Sequence, residues 1–108
     1  MTTNPTTIQA ETWTTLPRQF RNLQTNSEHS QNQKRGKPLD SFLEGPLYVP
    51  DLALLFVPDI PYGRIFSVDS NATWFLVIEY DGEPNGLVWN HITHRVVIAD
   101  FKQGIMEL

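Results

Sequence analysis

At 108 residues and a net charge of -4, the chain has room for one domain. It has no cysteine, which excludes disulfides, thiolate catalysis and cysteine-based zinc sites, and favours a reducing, cytoplasmic setting. Its longest apolar run, 52–57, is far short of the roughly 18 residues a membrane-spanning helix needs, and the threonine-rich start lacks the basic and apolar regions of a secretory signal. The sequence therefore predicts neither secretion nor a membrane partner.

Residues 1–37 read as a flexible polar arm. Threonines dominate 1–15, where Ile8 and Trp13 alone offer much to bury. A short helix is predicted over 16–23, because Pro17 suits a first helical turn and Leu16, Phe20 and Leu23 fall on one face. Residues 24–37 are polar without periodicity and read as a linker.

Residues 38–108 read as a compact α+β domain. One or two helical turns are expected over 38–45, stopped by Gly45 and Pro46. Prolines 46, 50, 58 and 61 then punctuate two extended pieces, 47–49 and 52–57, and argue against a central position for either. Segments 64–69, 73–80, 87–92 and 95–99 are rich in β-branched and aromatic residues and are separated by turn chemistry. Such short connections predict an antiparallel meander sheet of four to five strands with short flanking helices. Both faces of 73–80 are largely apolar, so this strand is expected to be central and covered on both sides. The end of the chain is predicted to be a helix: Asp100 can cap it, and Phe101, Ile105 and Leu108 follow helical spacing.

The charge is unevenly spread. Residues 1–37 carry five bases against two acids, whereas 38–108 carry three bases against ten acids. An acidic domain repels a phosphate backbone and attracts a basic protein, so nucleic acid is an unfavoured partner. The basic arm, residues 18–37, could contact phosphate, above all through the run Lys34-Arg35-Gly36-Lys37, though three charges in a polar loop are usually just solvated.

Candidate chemistry is sparse. His91 and His94 have H-x-x-H spacing but fall at a strand end and turn, where their rings need not converge, and no third ligand is evident. No G-x-S-x-G elbow, P-loop or H-E-x-x-H occurs, so the sequence predicts no enzyme and no cofactor. Asp69, Glu79, Asp81 and Glu83 cluster around strand ends and one loop, with Trp89 on the following strand. Together they form a candidate acidic and aromatic patch for a basic protein partner.

From about residue 62 the order of features resembles the SMI1/KNR4 (SUKH) superfamily. The matching residues are Tyr62-Gly63-Arg64-Ile65-Phe66, the strand 73–80, Gly86-Leu87-Val88-Trp89-Asn90-His91, and Val96-Val97-Ile98-Ala99-Asp100-Phe101 with a terminal helix. Upstream, Leu16-Pro17-Arg18-Gln19-Phe20 is similar to a Leu-Pro helix start in that family, while its Asn-Gly-Gly segment is missing here. The resemblance implies an α+β fold and a protein-recognition role, often as an immunity protein that neutralises a toxin. The leading expectation is thus a protein-binding module, with a structural or regulatory subunit and a nucleic-acid-associated protein as alternatives.

Overall fold

The computed structural model describes residues 3–21 and 40–108. It is a β structure: seven strands in two antiparallel sheets, with three one-turn 3-10 helices and no α-helix among the described residues. The first sheet holds β1 (Leu47–Val49), β2 (Leu54–Asp59), β3 (Arg64–Val68) and β4 (Trp74–Glu79), in that order. The second holds β5 (Pro84–Asn90), β6 (Arg95–Asp100) and β7 (Gly104–Glu107).

Alternation along the strands sorts the side chains into faces. Cross-strand pairing lines up Leu47, Phe56, Ser67 and Phe75, with Ile65 beside Ile78, on the face turned to the second sheet. From the second sheet, Leu87, Ile98 and Met106 share a face with Trp89 and Val96. Val49, Phe56, Ile65, Val96 and Ile98 meet between the sheets as the buried core.

The other face of the first sheet is covered by the N-terminal segment. The Phe20 ring lies 5.0 Å from that of Phe66, and Trp74 Nε1 donates to Thr14 Oγ1 at 3.0 Å. Beneath them Arg64 Nη2 donates to Asp59 Oδ2, to the Phe20 carbonyl and to Ser41 Oγ, while Asp59 Oδ1 accepts from the Phe42 N–H. Asp59 has no exposed surface at all, so its charge needs this guanidinium. Arg21 pairs with Asp40, joining the two segments that flank 22–39.

Several expectations are corrected. The strand covered on both faces is β3, every residue of which is buried, and not the segment 73–80. The chain leaves the first sheet at Tyr80 and starts the second at Pro84, so β4 and β5 never pair and the expected single meander divides into two sheets. The strand containing Pro58 is internal after all. The Pro58 carbonyl accepts from the Glu44 N–H, so its missing N–H falls on that side, beyond the end of β1.

The flanking helices are also corrected. Over 16–23 there is a single 3-10 turn, Arg18–Phe20, and residues 22 and 23 lie outside the described residues. Of 38–45, residues 40–45 form no helix, and Leu43 bridges Asp59 as extended chain. The end of the chain is a hairpin. Asp100 does cap, but it caps a turn: Oδ1 accepts from the N–H groups of Lys102 and Gln103. Gly104, at φ +84°, then turns the chain back, and β7 pairs along β6.

Candidate binding site

The core between the sheets is closed on one side and open on the other. On the closed side β5 packs against β1 and β2, and Gly45, at φ +64°, sits so close to Asn85 that a Cβ would overlap the Asn85 carbonyl oxygen. On the open side β4 pairs, among the described residues, with β3 alone. Thr73 accepts from the Asp69 N–H and Tyr80 donates to the Gly63 carbonyl, so the backbone groups of both turn toward β3. Alternation then turns those of Trp74, Leu76 and Glu79 outward. The register slips between Ile65 and Phe66, leaving Val77 as an extra, bulged residue. Phe75 is 53% exposed, and Leu76 and Val77 41% each.

Next to this strand lies a cleft of about 450 Å³, lined by Leu52, Phe56, Val77, Trp89, Val96 and Leu108 with Asp51, His94 and Arg95. The walls are apolar, and the two fixed charges are of opposite sign. The Trp89 indole N–H is buried and has no hydrogen-bond partner among the described residues, which costs about 1–3 kcal/mol if it stays unmet. The His94 ring stacks on Trp89, 6.2 Å away and 12° from parallel. It is held there by the β5–β6 turn, in which Asn90 Oδ1 accepts from Ile92 and Thr93 N–H and His94 itself takes φ +56°.

The expected patch is divided by this arrangement. Glu79 and Asp81 are exposed at one end of β4, where Asp81 accepts a 2.7 Å bond from Lys102 Nζ. Asp69 lies at the other end, about 20 Å away along the strand. It is half-buried, and its Oδ1 accepts from the N–H groups of Asn71 and Thr73. Glu83 is buried in the crossover between the sheets, with its N–H bound to the Asp100 carboxylate. Trp89 stands apart from the acids, half-buried on the cleft wall.

The crossover is fastened by Asp100. Tyr80 Oη donates to Asp100 Oδ2 at 2.6 Å, and a Cβ at Gly82 would overlap both that oxygen and the Tyr80 ring. Burial raises the Tyr80 phenol well above its ordinary value, and the bond to Asp100 raises it further. Burial alone would raise the Asp100 carboxyl as well. Hydrogen bonds from Tyr80 and from the N–H groups of Glu83, Gln103 and Lys102 outweigh it and hold that carboxyl below its usual range.

His91 and His94 gain no third ligand, and no group of three His, Cys, Asp or Glu residues with metal-binding spacing occurs among the described residues. The basic run 34–37 lies outside the described residues, and of the remaining arm charges Arg21 is already paired with Asp40. No family model, curated protein or solved structure matches the chain. Sequence reasoning missed the cleft residues Leu52, Phe56, Val77, Val96 and Leu108. The available signal was the second apolar face of 73–80, which fits an exposed contact strand as well as a doubly covered one.

Proposed function

We propose that the protein is a protein-binding module that docks its partner on the open side of the two-sheet core. One observation carries this reading: an apolar cleft walled by Trp89 lies beside a strand whose Phe75, Leu76 and Val77 face water. Exposed apolar surface of this kind is a usual mark of a contact site, and tryptophan is favoured at the centre of such sites. The inhibitor role implied by the SMI1/KNR4 resemblance is a narrower form of the same reading. Glu79 and Asp81 would then steer a basic partner, while the cleft supplies the lasting contact.

A second reading, a subunit of a larger assembly, is favoured by the outer face of the second sheet. There Val88, Ala99 and Ile105 are all exposed and bear no charge. The test is capture from native lysate by the full chain, run beside a Phe75→Lys/Val77→Asp variant at low and high salt. A stoichiometric protein held by the parent chain and released by the variant is expected. Recovery of the same proteins by both would remove the cleft from the account, and a Val88→Lys/Ile105→Lys variant then tests the second face.

A further inference from the structure

We infer that β4 is the receptor for an added strand: an extended apolar segment of the partner, flanked by Lys or Arg, pairs along its open edge. This rests on the protein-binding reading above and names the chemistry of what binds. Three observations carry it.

The first is the backbone. Trp74, Leu76 and Glu79 direct their N–H and C=O groups away from β3, and such a row is a template on which an added extended chain can pair in place of water. The second is weak protection among the described residues. Sheet edges are normally blunted by lysine, proline, shortness, a bulge or a covering element. β1 is three residues long and packs against β5, β5 opens with Pro84, and β7 is four residues long and carries Glu107. β4 has six residues, Trp-Phe-Leu-Val-Ile-Glu, with neither a base nor a proline, and its one irregularity is the bulge at Val77. That bulge turns Val77 to the cleft, so apolar side chains of an added strand would lie beside Val77 at the cleft mouth.

The third is charge. Glu79 stands at one end of β4, beside Asp81, which pairs with Lys102, and Asp69 stands at the other, whereas the one base within the strands of this sheet, Arg64, is buried against Asp59. Antiparallel pairing of β4 with a second copy of itself would bring Glu79 and Asp81 of one chain toward Asp69 of the other, at both ends. Like charges so placed are destabilising, which disfavours self-pairing and favours an occupant with basic flanks.

The probe is a synthetic peptide of alternating valine and threonine flanked by paired lysines, titrated into the isotope-labelled full chain at low ionic strength. Two control peptides accompany it, one with glutamate flanks and one with alternate amides N-methylated. We expect the Trp74, Leu76 and Glu79 amides to shift and gain exchange protection. The glutamate peptide should bind at least tenfold more weakly, and the methylated one should not bind. In a Glu79→Lys/Asp81→Lys variant the preference for lysine flanks should shrink or reverse. Shifts centred elsewhere, equal binding of both charge forms, or no shift at millimolar peptide would overturn the inference. So would concentration-dependent protection of β4 without peptide, which would show a second copy as the occupant. If the peptide fails while the Phe75→Lys/Val77→Asp variant still releases a captured partner, docking uses a folded surface and the binding-module reading stands.

Discussion

The first sheet ends in two unlike edges. β1 is short, bounded by Pro46 and Pro50, and lies against β5. β4 is twice as long, apolar on both faces, and bare along its outer side among the described residues. The difference arises where the chain departs. After Tyr80 it turns away through Gly82, Glu83 and Pro84, tied down by Asp100, and builds a second sheet over β1 and β2. A hairpin continuing from β4 would have covered that edge. A small domain without disulfides can thus close its core on one side and leave apolar surface exposed on the other.

Substitutions on the closed side should have the largest effects. Gly45→Ala adds a Cβ at positive φ against the Asn85 carbonyl, and should cost about 3 kcal/mol in urea unfolding. Asp100→Ala frees the crossover and strands buried donors at Tyr80 and Glu83, for a loss of roughly 2–3 kcal/mol. The same network predicts a pH window. The lowered Asp100 pKa makes its contribution full above the ordinary carboxylate value of about 4, and lost as pH falls through the folded-state value. The raised Tyr80 pKa makes its contribution full below about pH 10 and lost as pH rises through the folded-state value. Tyr80→Phe should therefore flatten the alkaline limb of a stability–pH profile.

On the open side, changes should be mild for folding. Phe75→Lys should alter unfolding free energy by less than about 1 kcal/mol, because the side chain is already half in water, while abolishing partner capture. A cost comparable to Gly45→Ala would mean that the β4 side is core. The smallest effect concerns the β3–β4 turn, where Ala72 holds φ +61°. Ala72→Gly should raise the thermal midpoint slightly, by the equivalent of roughly 0.5 kcal/mol.

Much of the strand pattern was legible in the residues. Arg64–Val68, Trp74–Glu79 and Arg95–Asp100 fall within a residue or two of their expected positions, because β-branched and aromatic runs between turn residues carry a strong local signal. The final hairpin was not legible, since Phe101, Ile105 and Leu108 fit helical spacing over too short a stretch to separate two periods. Asp100 supplies the same oxygen to backbone N–H groups in either structure, and Gly104 decides between them by taking positive φ. The division into two sheets has no local signature. It depends on packing between distant strands, and it is why the expected acidic patch divides, with Glu83 going inside while Glu79 and Asp81 remain at the surface.

The open edge itself is best tested by amide hydrogen exchange on the free, full-length chain, read residue by residue along β4. Protected amides are expected at Phe75, Ile78 and Tyr80, which face β3, and fast exchange at Trp74, Leu76 and Glu79. Protection of all six at low protein concentration would contradict it, because the edge would already be covered within the chain.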